Sequence, residues 1–351
     1  MISLRRISAL FWLFAYGCLA GSRALRDSAS VDLTAQIDSV ARSDVVHGFF
    51  GSILIARGDR ILLNRGYGVV AGANVRADSR FWIASGGKQF TSAAILKCVQ
   101  KGRLKLDDPI TRFLPDVPPD KRTITVRQLL SHLSGLGQSY ASEEQTDRRV
   151  AIRRMLADTL VDSTGKRFHY SNSNYQLAVA IVEIVSGMEY KSFVQRELLS
   201  PLGLRNTGFS GSVGARQVLP AVGPTPVRLR SSYWGGQGYY STTADLFHWY
   251  RALREGKVVA PTIAEVLFEP VTSIQEGQAA LGWFIGKTEK GETRIFTRGN
   301  EDWGPNALLY AYPAHDAVIV ILTHAGNAPD GTSWSRHVLG QLEGIALAEP
   351  R

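Results

Sequence analysis

Cysteine is scarce in this sequence, and the residue spacings typical of metal or nucleotide sites are missing. Only Cys18 and Cys98 occur among 351 residues. Because Cys18 lies in an N-terminal segment that we expect to be processed, no disulfide is predicted. The seven histidines show no ligand spacing with carboxylates or cysteines, so we expect no metal. A glycine-rich phosphate loop is also lacking, and no cofactor is predicted.

Positive charge is only mildly in excess of negative charge. The formal net charge is +9, from 40 Lys and Arg against 31 Asp and Glu. Arg5, Arg6 and Arg23 lie in the first 24 residues, and subtracting these three from +9 leaves +6. Because no basic stripe is interleaved with aromatic residues, nucleic acid is not an expected partner. The modest excess favours anionic surfaces such as cell-wall polymer or lipid head groups.

Residues 1–24 are predicted to be a signal peptide. Two early arginines precede an apolar run, Ile7–Ala20, which is too short to span a bilayer comfortably. The small residues around Ser22–Ala24 form the expected cleavage site. We therefore expect an exported protein, periplasmic or secreted, with no stable membrane span in the mature chain. The stretch Ala15–Cys18 loosely resembles a bacterial lipoprotein box, so lipidation at Cys18 is an alternative.

Beyond this segment, residues 25–351 are predicted to form one α+β domain. Strand-like runs occur toward both ends of the chain, and mainly helical patterns occupy about 103–225 between them. This order predicts one antiparallel sheet flanked by helices, with a mainly helical subdomain inserted in the middle. A cleft between sheet and insert is the expected place for a site. The expected strands are 51–57, 60–67, 81–84, 294–297, 307–312 and 317–324, and the expected helices are 32–41, 85–102, 126–133, 174–186 and 333–347.

Ser85 and Lys88 are the strongest candidates for chemistry. They begin a long helical pattern, and a spacing of three residues puts both side chains on one face. A serine hydroxyl becomes nucleophilic when a base removes its proton, and a lysine can be that base in a dry, cationic setting. The N–H groups at a helix start also favour an oxyanion. The alternative is an ordinary N-cap serine followed by a solvated lysine.

A second polar group, Tyr170-Ser171-Asn172, lies in a predicted loop just before a helix that begins near Asn174. Tyrosine can relay a proton when nearby cations stabilise its phenolate, and asparagine offers an amide donor and an acceptor. The alternative is a loop tyrosine that packs its ring, followed by a helix-capping asparagine. His132 follows a predicted helix of the insert and is expected to be structural.

Taken together, these residues resemble the penicillin-recognising serine hydrolases, which include class C β-lactamases, D-alanyl-D-alanine carboxypeptidases and related esterases. The resemblance runs in the family's order from about residue 32 to 325. It implies a β-lactamase/transpeptidase-like fold, a nucleophilic Ser85, proton transfer by Lys88 and Tyr170, and substrate binding by Asn172. Other segments that resemble family sequence are Gly66–Gly68, Lys88–Ala94, Leu104–Pro115, Leu129–Leu136, Pro201–Leu204, Thr207–Phe209, Ser241–Asp245 and Leu281–Trp283.

The third motif of that family is altered here. Relatives carry Lys-Thr-Gly or His-x-Gly on a strand that lines the cleft, followed by a second glycine. Placing Arg298 at the Lys/His position keeps Gly304 at the family's spacing without a gap. Placing Thr297 there matches Gly299 but needs one inserted residue before Gly304. We prefer the ungapped alignment because Arg298 keeps a cation in the cleft.

The preferred alignment implies roles for four residues. Arg298 and Gly299 become substrate-binding residues, and the guanidinium is expected to bind a carboxylate or to hold Tyr170 as phenolate. The second oxyanion donor is the backbone N–H of Glu301, acting together with that of Ser85. Glu301 also brings negative charge to the cleft, which disfavours anionic β-lactams.

The resemblance implies an enzyme that hydrolyses an ester or amide through an acyl-enzyme on Ser85. The expected substrate is a small-molecule or peptide acyl compound, with cell-wall peptide among the candidates. An esterase or a D-amino-acid peptidase fits the altered strand better than a β-lactamase. The alternative is a catalytically silent relative that binds wall peptide or a partner protein. The sequence lacks the G-x-S-x-G elbow of the α/β-hydrolases, which argues against that class.

Overall fold

A computed structural model describes residues 33–138, 145, 147–223 and 238–348. The predicted signal peptide and the stretch around Cys18 lie outside these residues. None of the helices in the described ranges combines the length and the apolar character that a membrane crossing needs.

Eight antiparallel strands form the main sheet, in the order β2-β1-β13-β12-β11-β10-β9-β8. Its strands come from both ends of the chain, as predicted. Two smaller sheets pair β3 with β4 and place β7 between β5 and β6. The strands in the described residues are β1 Gly51–Arg57, β2 Arg60–Tyr67, β3 Val69–Val70, β4 Ala73–Asn74, β5 Phe81–Trp82, β6 Gly208–Phe209, β7 Tyr239–Ser241, β8 Thr272–Ile274, β9 Gly277–Ala279, β10 Phe284–Lys287, β11 Thr293–Asn300, β12 Asn306–Tyr312 and β13 Ala317–Thr323.

Helices flank this sheet, which confirms the predicted α+β class. Helix α7 packs on β1 and β13, and α9 packs on β12 and β13. The carboxylate of Asp44 in α1 accepts hydrogen bonds from Gln341 in α9. The helices in the described residues are α1 33–46, α2 Lys88–Gln100, α3 Val126–Leu130, α4 Arg148–Ala157, α5 Asn172–Ser186, α6 Tyr190–Val194, α7 Thr243–Arg254, α8 Pro261–Ala264 and α9 Trp334–Leu347.

The centre of the sheet follows directly from the sequence. The apolar runs of β1 and β13 pair with Ile53 opposite Ile321 and Ile55 opposite Ile319, and all four side chains are fully buried. β1 turns into β2 at Gly58, whose φ of +58° suits glycine. This pairing supplies the rigid layer on which α7 and α9 pack.

Helices α2 and α5 form the part of the fold that positions the site. They pack against each other, and α5 is buried from its first residue, Asn172, to Val182. Residues 177–182 are apolar on every face, whereas Asn172 and Asn174 in the polar first turn form hydrogen bonds inside the fold. The helix ends at Gly187, which has the left-handed conformation typical of a C-terminal cap. α5 begins two residues earlier than predicted, so Asn172 belongs to the helix and not to the loop.

Seven short strands of the described residues, β3, β4 and β6 to β10, were not predicted individually, and neither were helices α4, α6, α7 and α8. Strands β8, β9 and β10 are three or four residues long, and the turn between β8 and β9 is polar, so no period is visible in the sequence. Helix α7 begins where the Thr242 hydroxyl accepts the N–H of Asp245 at 3.2 Å. The predicted helical insert at about 103–225 contains α3 to α6 in its described part, and its boundaries stay a prediction.

His324, fully buried at the end of β13, fixes two distant segments to the sheet. Its Nε2 accepts the N–H of Trp82 at 2.7 Å, and its Nδ1 lies 2.9 Å from the carbonyl oxygen of Leu219. Nε2 is therefore unprotonated and Nδ1 carries the proton. Burial lowers the pKa of His324 to about 4.

Protonation of His324 is expected to destabilise the fold in acid. Because its pKa is lower in the folded state than in the unfolded chain, the contribution of His324 is complete above about pH 6.5 and falls away toward pH 4. In His324→Gln, an amide supplies one donor and one acceptor without titrating. Between pH 7.5 and pH 4, the free energy of unfolding of the wild type should fall by about 3 kcal/mol more than that of the variant. Urea denaturation across this range measures it, and parallel curves would contradict the prediction.

Candidate active site

Ser85 lies in a short 3-10 turn, Ala84–Gly87, that leads into α2. Ala84 has φ of +47°, a left-handed conformation that is costly for a non-glycine residue and is often found at functional sites. The cap of α2 is Gly87, and no side chain makes a capping hydrogen bond there. The alternative of an ordinary N-cap serine is therefore wrong, and the hydroxyl of Ser85 is directed elsewhere.

The structure brings Ser85, Lys88, Tyr170 and Asn172 into one hydrogen-bonded group. Ser85 Oγ lies 2.5 Å from the hydroxyl of Tyr170 and accepts a hydrogen bond from Lys88 Nζ at 3.0 Å. Lys88 Nζ also donates to Asn172 Oδ1 at 2.9 Å. Lys88 is only 4% exposed, so the alternative of a solvated lysine is wrong as well. A proton can pass between hydroxyl, amine and phenol without any large movement.

Lys88 is surrounded by neutral partners. Besides its two hydrogen bonds, its ammonium lies 4.8 Å from the ring centre of Tyr170 and 5.5 Å from that of Tyr175. Among the residues that the structure describes, no carboxylate forms a salt bridge with this lysine. A buried amine held by a hydroxyl, an amide and two aromatic rings is suited to exchange its proton with Ser85.

His132 packs behind Tyr170. The two ring centres are 4.6 Å apart, and the imidazole is buried. His132 Nδ1 accepts the backbone N–H of Ser171 at 3.1 Å, and the side-chain amide of Asn174 approaches it at 3.2 Å. Burial, followed by the charge of Lys88, holds the pKa of His132 well below its usual range. His132 is thus a neutral residue that fixes the loop carrying Tyr170, in keeping with the expected structural role.

Asn172 is oriented by its position at the start of α5. Its backbone N–H donates to Gln138 Oε1 at 2.8 Å, and its side chain reaches Lys88. Gln138 and Asn172 line the same wall of the large cleft described below. Sequence reasoning missed Gln138, because nothing in the linear sequence links it to a helix that begins 34 residues later.

Strand β11 passes directly against the turn that carries Ser85. A Cβ atom on Gly299 would lie 2.2 Å from the carbonyl oxygen of Ile83 and 2.8 Å from the backbone nitrogen of Ser85. Only glycine permits this approach. Thr297, two residues earlier, is 3% exposed and lines a small cavity of about 20 Å³ together with Ser85 and Lys88.

The placement of Arg298 differs from the expectation. Side chains alternate along a strand, so Arg298 points away from the side on which Thr297 and Gly299 meet the nucleophile. Its guanidinium contacts Glu276 and lies 5.9 Å from the ring centre of Phe284. This geometry does not support the holding of a Tyr170 phenolate, and it favours the alternative alignment, in which Thr297 takes the Lys/His position. Arg298 still lines the cleft, so a role in substrate binding stays a prediction.

Glu301 cannot supply the second oxyanion donor, which corrects the prediction. Its backbone N–H donates to the carbonyl oxygen of Pro305 at 2.9 Å. Successive N–H groups of an antiparallel strand point to opposite sides, so that of Asn300 faces away from β12. On that side β10 pairs only as far as Phe296. The Asn300 N–H is therefore the better-placed donor beside that of Ser85, and it was missed because the ungapped alignment was preferred.

A cleft of about 760 Å³ opens above these groups. One wall comes from the helical part of the chain and the other from β11, the β8–β9 turn and the residues around α9. The arrangement joins a serine nucleophile, a proton-accepting pair and candidate oxyanion donors at the base of an open cleft, which suits acyl transfer. Its lining includes Ser85, Gln138, Tyr170, Asn172, Glu276, Arg298, Gly299, Asn300, Glu301 and Arg336.

No metal centre accompanies this site in the described part of the chain, where no group of three or more His, Cys, Asp or Glu side chains could hold an ion. Cys98 is fully buried in α2, and burial raises the pKa of its thiol to about 11. Cys98 is therefore a packing residue and not a second nucleophile.

Residues 42–343 match the Beta-lactamase family, so the chain belongs to that family. This confirms the resemblance to penicillin-recognising serine hydrolases, and the family together with the antiparallel sheet confirms the predicted β-lactamase/transpeptidase-like fold. The fold and family support hydrolase activity of the serine type.

Three known proteins illustrate the likeness. Protein flp of Staphylococcus aureus strain MW2 is 29% identical over 328 residues, which cover 84% of this chain and 63% of that protein. An octameric penicillin-binding protein homologue from Pyrococcus abyssi has a TM-score of 0.76 at 22% identity, covering 91% of this chain and 78% of the other. A D-amino acid amidase from Ochrobactrum anthropi SV3 has a TM-score of 0.78 at 18% identity, covering 90% and 98%. At these identities the two structures show the fold alone.

Gly299→Ala is expected to displace the nucleophile. The added methyl group would overlap backbone atoms of Ile83 and Ser85, so either β11 or the turn must move. A shift of this size should lower the rate at which a fluorophosphonate reacts with Ser85 on the order of 10²-fold. The control is Gly340→Ala in α9, where a Cβ meets nothing within 4 Å. Unchanged labelling of a folded Gly299→Ala protein would contradict the close packing of β11 on this turn.

Proposed function

We propose that this protein is a serine hydrolase that cleaves an ester or amide through an acyl-enzyme on Ser85. The observation that carries the proposal is the contact of Ser85 Oγ with both the Tyr170 hydroxyl, at 2.5 Å, and Lys88 Nζ, at 3.0 Å. A serine needs a base to become a nucleophile, and these two groups are within reach of its proton.

In the first step, Ser85 Oγ bonds to the substrate carbonyl carbon while its proton passes to the Lys88–Tyr170 pair. The carbonyl electrons move to the oxygen, which the N–H groups of Ser85 and Asn300 stabilise. As the carbonyl re-forms, the bond to the leaving group breaks and that group takes the proton from the pair. Water then repeats the sequence on the acyl-enzyme, releasing the acid and restoring the hydroxyl of Ser85.

Two features support an esterase or a D-amino-acid peptidase over a β-lactamase. In the alignment that the Gly299 contact favours, Thr297 stands where the family motif has lysine or histidine, so this position brings a hydroxyl and not a cation to the small cavity beside Ser85 and Lys88. The proteins of similar fold include one described as a D-amino acid amidase and one described as a penicillin-binding protein homologue. The chain spans 63% of the length of its curated relative, so that relative's own activity does not transfer directly.

The protein is also proposed to be exported and to act on acyl compounds outside the cytoplasm, with cell-wall peptide among the candidates. The basis is the N-terminal sequence, with its two early arginines, apolar run and small residues before residue 25. Whether Cys18 carries a lipid is decided by the intact mass of the protein from its natural host.

Removal of Ser85 or Lys88 is expected to abolish acylation. We expect the wild type to gain the mass of one phosphonyl group, which is the fluorophosphonate less the HF that leaves, and to hydrolyse an activated ester, whereas Ser85→Ala should not be labelled. Lys88→Met should react at least about 10³-fold more slowly, because Tyr170 then stays in contact with the serine but loses the neighbouring amine that shares the proton with it. Lys101→Met is the matched control, since this lysine caps the far end of α2 and pairs with Glu197 outside the cleft.

Intact-mass spectrometry after exposure to fluorophosphonate, activated esters, D-Ala-D-Ala peptides and β-lactams measures the labelling and acylation of the wild type and of each variant. An unlabelled wild-type protein, folded by circular dichroism, would exclude the hydrolase and leave the silent binding protein as the remaining function. Labelling that persists in Ser85→Ala would place the nucleophile elsewhere.

A further inference from the structure

Three charged side chains meet at the rim of the large cleft. Glu276 lies in the turn between β8 and β9, Arg298 in β11 and Arg336 in α9. Both oxygens of the Glu276 carboxylate accept hydrogen bonds from Arg336 Nη2, at 2.9 and 3.0 Å, and one of them also contacts Arg298. One carboxylate thus occupies two guanidinium groups that come from different parts of the fold.

This cluster belongs to the wall of the cleft formed by the sheet and α9. The cavity that it lines also contains Ser85 and Tyr170, and Arg298 additionally borders the small cavity beside Lys88. A substrate whose carbonyl carbon lies at Ser85 therefore extends along this wall or along the wall of Gln138 and Asn172. The part that runs along the sheet side meets the arginines.

The charge presented to that part of the substrate depends on Glu276. Two arginines alone would carry +2 and would match a substrate carboxylate through their paired N–H donors. With Glu276 between them the cluster carries +1, and the donors that face it are already used. The pKa of the Glu276 carboxyl is lowered to about 2, first by its hydrogen bond with Arg298, so it stays ionised in neutral solution. Glu301 adds another carboxylate to the same cleft, so the formal charges of the two arginines and the two carboxylates sum to zero (2 − 2) and leave no net attraction for an anion.

We propose that Glu276 is a specificity-determining residue that makes the cleft select esters or amides without a carboxylate on the sheet side. A substrate carboxylate would have to displace Glu276 from the arginines or lie beside a like charge, and both reduce binding. An uncharged group neither needs to displace Glu276 nor is repelled by it. This inference rests on the proposed acyl transfer at Ser85, whose substrate class it narrows.

The test compares two esters that share one acyl group. Their leaving groups are 3-hydroxybenzamide and 3-hydroxybenzoate, which have nearly the same shape and differ in a single negative charge. Wild-type protein is expected to have a kcat/KM about tenfold higher for the benzamide ester. In Glu276→Gln the freed arginines should raise kcat/KM for the benzoate ester about tenfold, with a change below about twofold for the benzamide ester.

Two control variants separate charge from structure. Glu276→Asp keeps the negative charge and should retain the wild-type preference. Glu289→Gln removes an exposed carboxylate in the turn between β10 and β11, outside the cleft lining, and should change neither ester. A preference for the benzoate ester in the wild type, or a ratio that Glu276→Gln leaves unchanged, would overturn the proposal.

A binding measurement makes the result independent of turnover. In a Ser85→Ala background, calorimetry should show about tenfold tighter binding of the benzoate ester after Glu276→Gln and no change for the benzamide ester. Equal affinities with and without Glu276 would overturn its role even if the enzyme is active. Absence of any acylation at Ser85 would instead overturn the proposed hydrolysis, while this comparison would still decide the role of Glu276.

Discussion

The burial of Lys88 is the constraint on which the site depends. An amine that is almost completely removed from water needs hydrogen-bond partners, and Lys88 finds them in Ser85, on the turn that leads into α2, and in Asn172 on α5. The two helices must therefore pack closely at this level. Tyr170 precedes α5 by two residues, so the same packing carries its hydroxyl to the nucleophile. The dense core between α2 and α5 and the neutral His132 behind Tyr170 both maintain this distance.

Much of this arrangement could be predicted from the sequence, because the information is local. Ser85 and Lys88 are only three residues apart at the start of a helical pattern, and the apolar runs of the central strands identify the antiparallel sheet. The long buried pattern that ends at Gly187 identifies α5. The contact between the two helices could be expected only through the family resemblance, because nothing in the 71 residues between Gln100 and Asn172 fixes the distance of α2 from α5 in space.

The predictions that were wrong concern β11, where the local sequence allows two alignments and only backbone contacts distinguish them. Arg298 and Thr297 are neighbours, so a shift of one residue exchanges the two sides of the strand. The contact of Gly299 with the Ser85 turn resolves this ambiguity, and it depends on backbone atoms that no side-chain pattern reveals. The same shift moves the expected oxyanion donor from Glu301 to Asn300. Strands β8 and β9, whose turn carries Glu276, have only three residues each, so no alternation of polar and apolar residues can be recognised in them.

In the proposed mechanism, Ser85 becomes a nucleophile because its proton moves to the Lys88–Tyr170 pair. The most direct test is the second-order rate constant for phosphonylation of Ser85 in Tyr170→Phe, which keeps the ring against His132 and removes only the hydroxyl. We predict a fall of at least about 10²-fold with an unchanged melting temperature. A rate equal to that of the wild type would contradict the account, because the 2.5 Å contact would then have no part in activating the serine.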